Sequence, residues 1–311
     1  MKKVSGQLIA KLLHVLKYAN EVEISKDEFL DRIIKTLTIE DLYCQIPDNE
    51  PAVSQGSHPR IERLEKSALE TLNVMLPWSS YFVLNTNQIV GSAWTQNKRN
   101  NAQPFPDKVV VKLAKSLDLR DMSVLELGCY EGHHSISLAQ FANSVTAIDG
   151  RMENVLKTLV RVWAANMEKK ITTNLIDLEK GNLKANLKAS GLNDKFDLIY
   201  HRGVLYHLSD PISNLFQCAE VSNKFLYLHT QIASDSSVTN SIDYLGEKYE
   251  YFQYKEPKVE FSPFSGICDY AIWLSKPSLL QALKNAGFNK VTIISEIVER
   301  NGPRIELIAE K

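Results

Sequence analysis

The chain has 311 residues, 44% hydrophobic and 23% charged, with a formal net charge of −1. That length predicts a catalytic domain with an extension, and the hydrophobic share suffices for a substantial core. The balanced charge does not favour a nucleic-acid partner, and the first hundred residues, with 12 Lys/Arg and 12 Asp/Glu, hide no basic tail.

Cys44, Cys129, Cys218 and Cys268 stand far apart with no CxxC pair, so zinc-ligand spacing is missing and a reducing compartment is expected. Lys2 and Lys3 open the chain, but Lys11, His14 and Lys17 interrupt any signal-peptide apolar run. No stretch reaches the roughly 18–20 apolar residues of a membrane span, and the pattern predicts a cytoplasmic protein.

Residues 1–75 read as a helical N-terminal extension, with apolar stripes at Ile9, Leu12, Leu13 and Leu16, at Ile33, Ile34 and Leu37, and at Leu64, Ala68, Leu69 and Leu72. The proline-bearing stretch from Ile46 to Pro59 reads as a loop between them. Residues 76–106, with Pro77, Trp78, Trp94, Pro104 and Pro106, read as a connecting segment draped over the active site.

From 107 to 311 helices and strands alternate. The pattern predicts a helix over Val109–Ser116, a strand over Val124–Leu127, a helix from His134, a strand over Val145–Ile148 and a helix over Asn154–Met167. Strands follow at Ile171–Ile176, Phe196–Tyr200 and Lys224–His229, which predicts a parallel sheet with right-handed crossovers. Asp210-Pro211 and Pro277 mark helix starts, and Gly287 marks a stop. Val291–Val298 and Ile305–Ala309 flank Asn301-Gly302 and read as an antiparallel hairpin. Five parallel strands and a closing hairpin differ from the all-parallel sheet of a dehydrogenase. A long insertion at about 230–275 holds nine of the 27 aromatics: Tyr244, Tyr249, Tyr251, Phe252, Tyr254, Phe261, Phe264, Tyr270 and Trp273. It reads as a long functional loop rather than a disordered one.

Four strand ends carry candidate chemistry. Glu126-Leu-Gly128-Cys129-Tyr130-Glu-Gly132-His133 follows the first strand, where glycine permits close approach of backbone to a ligand. Tyr130 stands where a third glycine is usual, and by itself the run equally suits an ordinary tight turn. Asp149-Gly150 ends the next strand, where a carboxylate can accept from ribose hydroxyls or merely cap the strand. Asp177-Leu178 follows the third strand, where Asp177 could accept from an adenine amino group or be a plain loop acid. His201, Gly203, Tyr206 and His207 follow the fourth.

Taken together, these motifs resemble the class I S-adenosylmethionine-dependent methyltransferases over about 121–311. The later run Gly203-Val-Leu-Tyr206-His207 with Pro211, the upstream Leu76-Pro77-Trp78 and the end from Pro277 to Phe288 are similar to the wobble-uridine carboxymethyltransferases of tRNA. The resemblance implies a Rossmann-like doubly wound α/β fold, S-adenosylmethionine as cofactor and S-adenosylhomocysteine as product. It implies cofactor contacts from Glu126, Gly128, Cys129, Tyr130, Gly132, His133, Asp149, Gly150, Asp177, Leu178, His201 and Gly203. The tRNA enzymes bind a carboxylated donor through a lysine soon after Leu-Pro-Trp and basic residues near Tyr-His. Here Ser79-Ser80-Tyr81 and Leu208-Ser209-Asp210 stand instead, so plain S-adenosylmethionine is the expected donor.

The sulfonium methyl is already activated, so the protein has to align the nucleophile and take its proton. His207 is the first candidate base, with His201 and His229 as alternatives, and Tyr206 would orient donor or substrate. His133 and His134 would contact the cofactor or pack. No carboxylate cluster suits Mg²⁺, so no metal is expected. The expected acceptor is an oxygen or nitrogen of a small molecule, sugar or peptide-like metabolite, in a pocket closed by the insertion and the N-terminal extension. A satellite core is the alternative use of those aromatics. Competing functions are tRNA modification and a catalytically inactive cofactor-binding module.

Overall fold

The computed structural model describes Leu76, residues 78–83, 89–91, 102–256 and 265–311. The helices expected over 1–75, and Phe261 and Phe264, lie outside the described residues. In chain order the elements are β1 (Tyr81–Val83), β2 (Ile89–Gly91), α1 (Lys108–Ser116), β3 (Ser123–Leu127), α2 (His133–Leu138), β4 (Ser144–Asp149) and α3 (Met152–Ala164). There follow β5 (Ile171–Leu175), α4 (Leu183–Ala189), β6 (Phe196–Arg202), a 3₁₀ turn (Leu205–His207), α5 (Pro211–Val221) and β7 (Ser222–Gln231). The last are β8 (Asn240–Tyr244), β9 (Glu247–Lys255), β10 (Tyr270–Leu274), α6 (Lys276–Asn285), β11 (Lys290–Glu299) and β12 (Gly302–Glu310).

Seven strands form one sheet in the order β11-β12-β7-β6-β3-β4-β5. β6 pairs in parallel with β3 and β7, whereas β12 runs antiparallel to β7 and β11. This is the doubly wound, Rossmann-like sheet with a closing hairpin that the strand pattern predicts. The order reverses at β3, whose neighbours in the sheet are β4 and β6, and in open α/β sheets ligands bind at the carboxyl ends beside such a switch. Side chains of Asp107, Asn182, Asp210 and Ser275 cap α1, α4, α5 and α6 by accepting from backbone N–H groups, worth about 1 kcal/mol each. Among the described residues no helix is long and apolar enough to cross a membrane.

The chain divides into two compact units. One holds Met1–Asp121, Cys129–Ala147 and Arg151–Leu175, and the other holds Met122–Gly128, Ile148–Gly150 and Ile176–Lys311. In the first, α2 packs on α3 and α3 on β5. In the second, Leu125, Leu127, Ile199, Leu226, Leu228 and Leu307 share one buried cluster with Leu215, Leu279 and Leu283 of α5 and α6.

The insertion departs from the loop expected for it. It contains an antiparallel sheet in the order β10-β9-β8. Tyr244 pairs with Glu247, leaving Leu245-Gly246 as a two-residue turn with φ of 51° and 83°. Two positive φ values make a hairpin turn whose twist suits the flanking strands, and glycine at the second position removes half the steric cost. Six of the aromatics that suggested a pocket are packed, Tyr244 and Tyr251 against the main core among them, whereas Tyr270 is exposed. Tyr249 lies wholly inside the main core, while Trp273 forms a satellite cluster with Phe252, Tyr254, Ala233 and Ala271.

Candidate active site

The carboxyl ends of β3, β4 and β6 gather one group of expected cofactor residues in the second unit. At Gly128 φ is +70°, and a Cβ there would fall 2.3 Å from Val204 Cγ2. A side chain is therefore excluded from the turn after β3 on both conformational and steric grounds. The Gly128 N–H donates to Ile148 O at 2.8 Å, tying this turn to β4, and Ile176 N–H donates to Asp149 O at 3.0 Å. Asp149 and Glu126 are buried at their strand ends. A Cβ on Gly150 would fall 2.6 Å from Ile267 Cδ1, while Asp177 Cα lies 3.4 Å away, at ordinary contact distance. Asp177 accepts from Glu179 N–H at 3.0 Å and pairs with Lys180 Nζ at 3.1 Å, while Leu178 packs on the core. Bare backbone at Gly128 beside carboxylates on the next strand ends fits an adenosine-type ligand.

The remaining first-motif residues belong to the other unit. Cys129 is buried and its sulfur accepts from the Thr158 hydroxyl at 3.3 Å. Tyr130 takes the left-handed conformation at φ 54° that a third glycine would adopt readily, and its hydroxyl is bonded to Ser79 Oγ. Gly132 precedes α2, and His133 Nε2 lies 3.3 Å from Asp107 Oδ2. Glu131, which the motif reading passed over, is the centre of this region. It accepts from Ser79 N–H and the Ser80 hydroxyl at 2.6 Å each and pairs with Arg161 at 3.2 Å and Lys157 at 3.5 Å, all four side chains being buried. Arg161 also lies 4.9 Å from the Trp78 ring centroid and 5.3 Å from that of Phe82. The serines that replace a donor-binding lysine after Trp78 thus have a structural use here.

The candidate bases occupy three different environments. His201, on β6, is fully buried with Nε2 against Asn214 Oδ1 at 2.9 Å, and burial pushes its pKa down to about 4. His229, on β7, is also buried; burial first, then the Arg202 and Arg304 cations, push its pKa down to about 4. His207 ends the 3₁₀ turn with 22% of its side chain exposed, and its Nδ1 lies 2.7 Å from Oε1 of the buried Glu256. Its Nε2 has no hydrogen-bond partner among the described residues. Glu256 stands 49 residues along the chain from His207, and no motif signals it.

Around this turn lies a polar face. Tyr206 packs on the His207 ring, with centroids 4.3 Å apart, and the Arg304 guanidinium sits 5.2 Å from the Tyr206 centroid. Burial pushes the Tyr206 hydroxyl pKa up, partly offset by Arg304. Arg202 donates to Tyr227 OH at 3.0 Å, and that hydroxyl donates to Glu306 at 2.7 Å. No cation directly follows His207 in the chain, and the β7–β12 pairing brings Arg304 to the turn. Arg304 already pairs with Glu299 at 2.9 Å.

Residues 98–293 match the methyltransferase domain family. The chain belongs to this family of S-adenosylmethionine-dependent methyltransferases. Among curated proteins it is similar to the tRNA U34 carboxymethyltransferase of Sulfurimonas denitrificans, 26% identical over 152 residues, 48% of this chain and 44% of that protein. It is also similar to the ubiquinone biosynthesis O-methyltransferase of Hydrogenovibrio crunogenus, 26% identical over 137 residues, 44% of this chain and 53% of that protein. The chain spans about half the length of these curated relatives. Among solved structures, the N-terminal domain of EvdMO1, crystallised in the presence of S-adenosylhomocysteine and D-fucose, matches with a TM-score of 0.65 at 23% identity, over 82% of this chain and 99% of that one. The same domain with S-adenosylhomocysteine bound gives 0.64 at 22% identity, again over 82% and 99%. These likenesses show a shared fold.

Proposed function

We propose that the chain transfers a methyl group from S-adenosylmethionine to an oxygen or nitrogen of a small-molecule, sugar or peptide-like acceptor, with His207 as general base. The observation that carries this reading is the state of the His207 ring: Nδ1 is anchored on a buried carboxylate and Nε2 is unengaged among the described residues. His201 and His229 are buried and held neutral down to about pH 4, which suits packing inside the sheet rather than proton exchange with a substrate. Gly128, Asp149, Gly150, Asp177 and Gly203 would hold the cofactor, with Glu126 and Leu178 behind them. Cys129, Tyr130, Gly132 and His133 follow Gly128 in the chain and keep their expected place in the first motif. When bound, the cofactor supplies an activated sulfonium methyl. The protein's part is to align the acceptor with that methyl and receive the acceptor's proton at His207 Nε2, with Tyr206 beside it. In this reading residues 107–311 are the catalytic domain, 76–106 a connecting segment and 1–75 an extension.

The test is incubation of the full chain with methyl-labelled S-adenosylmethionine and a fractionated host extract. Hexoses are the first pure acceptors to try, since the solved neighbour was crystallised with D-fucose. Label in a small-molecule fraction is expected; label in tRNA, or none, overturns the reading. Arg304 over Tyr206 favours a second reading, a carboxylated donor on tRNA, as the Sulfurimonas relative's name describes. The Glu299 partner of Arg304 weighs against it. Faster turnover with the carboxylated donor would establish the second reading.

A further inference from the structure

We propose that Glu256 is a positioning residue that locks His207 as the Nδ1–H tautomer, and that the acceptor atom is an alcohol oxygen. This rests on the reading of His207 as base. A buried carboxylate is costly unless it is hydrogen-bonded, and Glu256 is only 3% exposed. An ionised Glu256 can only accept, so in this proposal Nδ1 carries the proton and Nε2 presents a lone pair.

Both partners are held from the insertion. The Glu256 N–H donates to Asp269 O at 3.0 Å. The 3₁₀ turn is tied to β10 twice: Trp273 Nε1–H donates to Tyr206 O at 2.8 Å, and Ile272 N–H donates to Leu208 O at 2.9 Å. A Cβ on Gly266 would lie 2.6 Å from His207 O and 3.2 Å from Glu256 Oε1, so the chain crosses the pair where only glycine fits. The insertion is therefore the frame that aims His207.

An oriented imidazole–carboxylate pair suits an acceptor that must lose its proton as it attacks. A neutral amine attacks through a lone pair already free, whereas an alcohol oxygen is a weak nucleophile until its proton is leaving. As the acceptor oxygen bonds to the methyl carbon, the carbon–sulfur pair stays on sulfur and the hydroxyl proton passes to Nε2. The products are the methyl ether, neutral S-adenosylhomocysteine and an imidazolium paired with Glu256, which later returns the proton to water. Among the described residues, the charged and titratable groups shown against His207 are Glu256 after β9, Tyr206 in its own turn, and Arg304 from β12 through Tyr206.

The test is nitrogen NMR of the full chain labelled in histidine, with His207→Ala assigning the signal. The expected neutral form has Nδ1 protonated and Nε2 bare, and Glu256→Gln, whose amide can donate as well as accept, should mix the two tautomers. Glu256→Asp should restore the Nδ1–H form in part. With the acceptor found in extract, Glu256→Gln should lower kcat about 10- to 100-fold with KM little changed. The labelled product should be a methyl ether. An Nε2–H tautomer, an unchanged tautomer balance in Glu256→Gln or an N-methyl product overturns the proposal while leaving methyl transfer standing. Full activity in His207→Ala removes the base reading and this proposal together.

Discussion

Each unit contains a glutamate held by cations or an imidazole, and the two are in opposite states. Glu131 is saturated: two serines, Lys157 and Arg161 surround it, and no member of the group reaches the surface. Glu256 has one hydrogen-bonded ring partner, His207, and that ring keeps one nitrogen unengaged among the described residues and part of its surface exposed. The first arrangement can only hold backbone in place. The second can accept a proton. Glu131 and His207 both lie in runs that resemble methyltransferase motifs, so resemblance alone does not separate scaffold from chemistry, whereas the count of engaged atoms does.

The largest effect should come from breaking the saturated group. Glu131→Ala leaves Lys157 and Arg161 buried without their carboxylate and should cost about 3–5 kcal/mol of unfolding free energy. Chemical denaturation measures this, and a loss below about 1 kcal/mol would mean that the group holds little.

Next is the acid sensitivity of His201. Its pKa is about 4 in the folded chain against an ordinary 6.5. Between those values the unfolded chain binds a proton that the folded one refuses. Its stability contribution is therefore complete above pH 6.5 and falls, by up to about 3 kcal/mol, as the pH drops towards 4. Urea midpoints across that range should slope less steeply in His201→Gln; equal slopes would contradict the buried, neutral state.

Asp149→Ala is expected to weaken S-adenosylhomocysteine binding by about 1.5–3 kcal/mol through lost ribose hydrogen bonds, with little change in folding. Calorimetry giving equal affinities would remove Asp149 from the cofactor site.

These residues differ in how visible they are along the chain. The runs Val124–Leu127 and Phe196–Tyr200 are short, apolar and bounded by turn residues, and they form β3 and most of β6. Asp210-Pro211 and the Asn301-Gly302 hairpin signal are local chemistry and stand where expected. β8 is less visible because Asn240, Ser241 and Asp243 make it polar and its turn is Leu245-Gly246 rather than Asn-Gly. The serine partners of Glu131 lie 51 and 52 residues upstream, Glu256 lies 49 residues beyond His207, and Arg304 reaches Tyr206 through the β7–β12 pairing. Periodicity and capping are local and can be read directly, whereas these pairs exist only after the sheet has formed.

His207→Ala, measured for methyl transfer, S-adenosylhomocysteine affinity and melting temperature together, tests most directly whether the unsaturated pair is chemical and not structural. The account predicts that turnover falls about 10²- to 10⁴-fold while affinity and melting temperature stay close to those of the wild type. Unchanged turnover, or a loss matched by a fall in melting temperature, would contradict it.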